Sequence, residues 1–166
     1  VSNIKVADNV LTNNGFGLTV NGLSVANGAQ ISSGRAAIFI GCERQGQSYT
    51  TSNMRSASIT VQGNKVLNSA VNGITLYNID GITLNNNTFI NCHSNTTNAP
   101  EYTGNIVEVQ NCTGINIFNN VVTDTRPIVL HDRAYSIENS TGKFIKGTAT
   151  GFRVEVVQQK NSRLLN

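Results

Sequence analysis

Apolar residues recur along this chain in short alternating pairs. Ile4-Lys5-Val6, Ile59-Thr60-Val61, Ile82-Thr83-Leu84 and Ile115-Asn116-Ile117 each run apolar, polar, apolar. In all four an asparagine falls five places after the first apolar residue: Asn9, Asn64, Asn87 and Asn120. Leu23-Ser24-Val25 follows the same pattern, with Gly28 at that place. Period-two alternation makes a strand with one face turned inward. A second alternating segment is read in each unit, at Leu18/Val20, Ile38/Ile40, Ile74/Leu76, Val107/Val109, Ile128/Leu130 and Val154/Val156.

The units are copies of one another. Gly73 to Leu84 aligns without a gap on Ile106 to Ile117, and each runs on into an Asn-containing turn, Asn85-Asn86-Asn87 and Phe118-Asn119-Asn120. Strands this short bury nothing alone, so successive units must stack, with equivalent residues roughly 4.8 Å apart. Asn at a fixed turn position tolerates a left-handed backbone and can hydrogen-bond the Asn above and below it. The pattern predicts an all-β fold, a right-handed single-stranded parallel β-helix (a solenoid) of about six coils. An immunoglobulin-like sandwich would call for hairpins instead of a same-sense repeat. Residues 1–139 form the coils, and 140–166 a last coil and polar tail of the same domain. Two insertions interrupt the stack, Gly41 to Ser56 and His93 to Gly104, and such loops commonly carry binding residues.

Composition agrees with this picture. Asparagine occurs 25 times in 166 residues, and charged residues are only 13%, about half the usual share. The net charge is +3, and the twelve Lys and Arg are scattered, so no nucleic-acid partner is expected. No apolar run is long enough to span a membrane. Val1-Ser2-Asn3-Ile4 enters the pattern midway, with neither an initiator Met nor a signal peptide, as expected of a piece of a longer chain. Cys42, Cys92 and Cys112 show no disulfide framework and read as free thiols. His93 and His131 sit in no paired motif, so neither a metal nor another cofactor is expected.

At its Asn-bearing coils the sequence resembles the pectate-lyase-like superfamily of right-handed parallel β-helices, over almost the whole chain. Short strands, heavy Asn use and low charge look most like a phage tailspike. The resemblance implies a polysaccharide lying along an outer strand face, carboxylates projecting from neighbouring coils, a homotrimer, and a place on a virion tail, or else secreted or at a cell surface. The chain departs from the polygalacturonase branch: it has no Asn-Thr-Asp, no Asp-Asp pair and no Gly-His-Gly.

Register locates the chemistry. The outward residues of the second strand read Thr19, Phe39, Thr75, Glu108, Val129 and Glu155. Glu108 and Glu155 then stand two coils apart, about 9.6 Å, near the roughly 6.5–9.5 Å separation of inverting glycosidases. Asp132 joins the turn column Asn78, Asn111, Asp132, beside Tyr77, Gln110 and His131. The candidate acid and base are Glu108 with Asp132 or Glu155. Tyr77, Gln110, His131, Arg133 and, on the long loop, Tyr102 are the candidate substrate contacts. The plain alternative is a solvated face, with Glu155 paired to Arg153 or Lys143. Three functions stay open: a tailspike-like depolymerase (a glycoside hydrolase or lyase) of bacterial surface polysaccharide, a non-catalytic glycan-binding adhesin or fibre segment, and a structural trimeric spacer.

Overall fold

A computed structural model describes residues 3–14, 19–20, 23–24, 36–41, 55–93, 105–126, 133–152, 154–159 and 162–165. In chain order come β1 (Ile4–Ala7), β2 (Val10–Thr12), β3 (Thr19–Val20), β4 (Leu23–Ser24), β5 (Ala36–Gly41) and β6 (Arg55–Gln62). Next are β7 (Lys65–Leu67), β8 (Asn72–Tyr77), β9 (Ile79–Asn85), β10 (Thr88–Ile90), β11 (Asn105–Gln110) and β12 (Thr113–Phe118). The last are β13 (Val121–Thr123), β14 (Arg133–Glu138), β15 (Thr141–Phe144), β16 (Thr148–Thr150), β17 (Val154–Gln159) and β18 (Arg163–Leu165). There is no helix among the described residues.

Three parallel sheets take all of these strands except β3 and β4 in rotation. The first sheet stacks β1-β6-β9-β12-β15-β18, the second β2-β7-β10-β13-β16 and the third β5-β8-β11-β14-β17. This is the stacked-sheet architecture of a parallel β-helix, and β15 to β18 belong to it, so residues 140–166 add strands to all three sheets.

Stacking turns the sequence repeat into columns of like side chains. In the first sheet Ile4, Ile59, Ile82 and Ile115 lie in register, as do Val6, Val61, Leu84, Ile117 and Phe144. The second contributes Leu11, Val66, Phe89, Val122 and Ala149. The third contributes Ile38, Ile74, Val107 and Tyr135, and beside them Ile40, Leu76, Val109 and Ile137. From Ile59 to Val122 these columns are almost wholly buried, each side chain contributing roughly 1.5–3 kcal/mol of hydrophobic stabilisation. Cys92 and Cys112 lie in the same core as free thiols, and burial pushes each up to about 12. Cys42 is outside the described residues.

Asparagine does two separate jobs at the corners. Between first and second sheets, Asn9, Asn64, Asn87 and Asn120 form a ladder. The Oδ1 of Asn64 accepts from the backbone and side-chain amides of Asn9 at 3.1 and 2.9 Å. Asn87 does the same for Asn64, and Asn120 for Asn87, at 2.9–3.0 Å. Their Nδ2 groups also donate to buried carbonyls, Val6 and Gln62 for Asn64, Val61 and Asn85 for Asn87. The residue just before each rung takes the left-handed backbone: Asp8 (φ 56°), Gly63 (65°), Asn86 (54°) and Asn119 (54°). Asn and Gly reach that region at least cost. The next coil places Gly147 under the last rung, where a Cβ would sit 2.0 Å from the Asn120 carbonyl oxygen. The ladder stops there. Equivalent left-handed asparagines turn the other corners, at Asn13, Asn68 and Asn91, and at Asn78, Asn111 and Asn139.

Two sequence expectations are corrected. Thr19–Val20 and Leu23–Ser24 are not rungs of the helix but pair antiparallel with each other. The intervening Asn21-Gly22 is a strong hairpin signal, and it outweighs the local resemblance to a coil. The strand stacked on β11 is β14, not a segment at Ile128/Leu130. Residues 127–132 lie outside the described set, and the inward pair of that coil is Tyr135 and Ile137.

Candidate functional site

The outer face of the third sheet holds the densest polar constellation among the described residues. Its columns follow from alternation. Where Ile74 and Leu76 face the core, Thr75 and Tyr77 face away, and pairing puts Phe39, Thr75, Glu108 and Ser136 in one outward column. Gly41, Tyr77, Gln110 and Glu138 make the next. Asn105 pairs with Arg133 at the start of the strands.

Glu108 is the centre of this face, and it is buried, with 3% of its surface exposed. Oε2 accepts from Asn72 Nδ2 at 2.9 Å and from the Thr75 hydroxyl at 3.3 Å. Oε1 accepts from Gln110 Nε2 at 2.8 Å and from Asn105 Nδ2 at 3.4 Å. All four donors are neutral. Burial pushes the Glu108 carboxyl above the ordinary range, and the negative charge of Glu138 adds to this, while the bonds from Thr75, Asn105 and Gln110 pull the other way. No cation pairs with it among the described residues. A carboxyl so placed is near the condition a general acid needs. Asn105 keeps a buried Oδ1 with no donor among the described residues, an acceptor that a ligand hydroxyl would satisfy.

Glu138 is the second carboxylate of the face. It lies one strand on and two residues along from Glu108, because Ser136 is the direct partner of Glu108 and Gln110 the partner of Glu138. Strand spacing and rise set their backbones roughly 8 Å apart. Below them Phe39 is 43% exposed. Its ring runs past Gly41, where a Cβ would meet Cζ at 3.0 Å and the Tyr77 Cβ at 2.9 Å. The lack of a side chain at Gly41 lets the two aromatic residues border one patch.

Of the residues expected from sequence, Glu108 and Gln110 are hydrogen-bonded here and Tyr77 pairs with Gln110, while Arg133 stands at the start of its strand, paired with Asn105. Glu155 does not join them. The pairing of Tyr135 with Val156 puts Glu155 beside Ala134, not in the Glu108 column, and its carboxylate forms an exposed ion pair with Lys146. The turn column is also different: Asn139 Nδ2 donates to Asn111 Oδ1 at 2.7 Å, and Asn111 Nδ2 to Asn78 Oδ1. The place expected for Asp132 is therefore held by Asn139, and the place expected for His131 by Glu138. Asp132, His131 and Tyr102 themselves lie outside the described residues. Glu138 was overlooked because Ile128-Val129-Leu130 mimics a strand. The signal that identifies the true coil is Asn139-Ser140-Thr141-Gly142, which repeats Asn78-Ile79-Asp80-Gly81 and Asn111-Cys112-Thr113-Gly114.

Compared with protein-family models, with curated proteins and with solved structures, the chain matches none.

Proposed function

We propose that this chain is part of a right-handed parallel β-helix of about six coils, of the pectate-lyase-like and tailspike kind, that binds and cleaves a bacterial surface polysaccharide on the outer face of its third sheet. The observation that carries the reading is Glu108: a buried carboxyl on an outward position, held by four neutral donors and set diagonally to Glu138. Glu108 is assigned as general acid and Glu138 as the base that activates water. Their backbones stand roughly 8 Å apart, a spacing from which the two carboxyls can span the roughly 6.5–9.5 Å that inversion uses. Tyr77, Gln110, Asn105 and Arg133 line the path of the glycan. A homotrimer on a virion tail is the assembly that accompanies this reading.

The second reading is binding without turnover, and one observation favours it: both oxygens of Glu108 already have hydrogen-bond donors. Incubation with panels of capsular and O-antigen polysaccharides separates the two. Release of oligosaccharides by the wild type, abolished in Glu108→Gln, supports hydrolysis. Retention on a glycan array without products after long incubation supports binding alone. A Glu108→Gln variant that cleaves at the full rate removes Glu108 from the mechanism.

A further inference from the structure

Glu108 is tied to a histidine through one intervening side chain. Asn72 Nδ2 donates to Glu108 Oε2 at 2.9 Å and to Thr75 Oγ1 at 3.2 Å, and Thr75 passes its own hydroxyl proton toward the same Oε2 at 3.3 Å. With its amide nitrogen committed to that side, Asn72 turns Oδ1 toward His93 Nδ1, 2.9 Å away. An oxygen acceptor at that distance requires an N–H on Nδ1. His93 is itself held by its backbone, whose N–H donates to the Val71 carbonyl at 2.9 Å and whose φ is 57°. Burial, helped by the charge of Arg126, lowers the imidazole to about 4, so a neutral ring with one fixed tautomer faces Asn72 at neutral pH.

We propose that His93, acting through Asn72, is the positioning residue that keeps the Glu108 carboxylate surrounded by donors. The Nδ1 proton adds to the bonds from Asn72 Nδ2 to Glu108 and Thr75 in holding the amide in this sense. Without it, the amide turned over, with its carbonyl oxygen toward Glu108, becomes more accessible. That exchange replaces an attraction by a repulsion and favours the protonated carboxyl. The other groups around Glu108 do not supply the same control. On β14 stand Glu138 and Arg133, on β8 Tyr77, and on β11 the neutral Asn105 and Gln110. Near His93, Arg126 is engaged with Asp124 and with the Cys92 carbonyl. The catalytic meaning of the relay rests on the reading of Glu108 given above; its hydrogen-bond content does not.

The test is NMR on the whole chain. Nitrogen-15 spectra of the wild type should show His93 as the Nδ1–H tautomer, and carbon-13 titration should follow the Glu108 carboxyl. In His93→Leu the Glu108 midpoint should rise by about one pH unit, the loss of one bond to a charged group. In His93→Asn it should return, because Asn offers an N–H at nearly the same place and tolerates the left-handed backbone. An Nε2–H tautomer in the wild type overturns the proposal, and so does an unmoved midpoint in His93→Leu. The tautomer measurement needs no variant, so it decides even if His93→Leu does not fold. These readings hold on a protein with no turnover, so failure of the depolymerase reading leaves them intact. Conversely, cleavage that depends on Glu108 with an unmoved midpoint would sink the relay alone.

Discussion

The side-chain oxygen of Asn87 receives both the backbone N–H and the side-chain amide of Asn64, at 3.0 and 2.9 Å. One acceptor thus fixes a turn and the side chain stacked on it. Replacement of Asn87 by Ala removes the acceptor of the buried Asn64 backbone N–H and side-chain amide, and a donor to the Val61 carbonyl. The expected loss is about 3 kcal/mol, read as a lower denaturant midpoint. Asn9, exposed at the end of the ladder, should cost less than about 1 kcal/mol when changed to Ala. Equal losses at the two positions would mean that the ladder is not what stabilises the corner.

Tyr135 offers the opposite sign. Its ring stands in a core column between Val107 and Val156, edge-on to Phe144 with centroids 5.2 Å apart and an interplanar angle of 75°. The hydroxyl is buried with no hydrogen-bond partner among the described residues, and burial raises its pKa. Tyr135→Phe keeps the aromatic contact and removes an unsatisfied polar atom. Thermal melts should show a gain of about 1 kcal/mol; a loss of that size would reveal a partner for the hydroxyl.

Glu108 and His93 should tilt stability in opposite directions as pH changes. The raised pKa of Glu108 makes its contribution fully present below the unfolded value of 4.5 and lost as pH climbs through the folded one, since there the native state binds more protons. His93, lowered from 6.5 to about 4, behaves the other way: its contribution is complete above 6.5 and is lost as pH drops through about 4. Melting temperatures across pH 3 to 9 in wild type, Glu108→Gln and His93→Asn check the assignment. Glu108→Gln should flatten the decline that sets in above pH 4.5, and His93→Asn should soften the one that sets in below 6.5.

On the proposed glycan face, Phe39 and Glu138 should separate binding from chemistry. Phe39→Ala removes an exposed aromatic surface two strands from Glu108, and a stacking contact is worth about 0.5–1.5 kcal/mol. KM should rise roughly threefold to tenfold with kcat unchanged. Glu138→Gln should lower kcat with little change in KM. Should Phe39→Ala lower kcat alone, its ring is not a platform for substrate.

Much of the fold was legible because its repeat is written in a single sheet. Ile4, Ile59, Ile82 and Ile115 mark one column, and the asparagine five places on marks the corner, so register and ladder follow from counting. The third sheet is harder to read because insertions precede its strands and vary in length. Alternation at Ile128-Val129-Leu130 is locally as good as that at Tyr135-Ser136-Ile137, and only the corner after it, Asn139, distinguishes them. Likewise Leu18 to Val25 alternates like a coil, while Asn21-Gly22 specifies a reversal of direction. The burial of Glu108 was not legible at all. It depends on Asn72, Thr75, Asn105 and Gln110 arriving from two strands, and no spacing along the chain encodes the depth at which a side chain comes to rest.

The rotation of strands among three sheets also has a mechanical side. Among the described strands, each inner one is hydrogen-bonded to the strand of the coil before it and to that of the coil after it. A load applied along the stack is therefore borne in series, and the weakest junction gives first while its neighbours hold. The junction between Asn120 and Gly147 lacks the amide rung that joins the earlier coils. Pulled from its two ends, the solenoid should first part there, peeling residues 140–165 away as a unit.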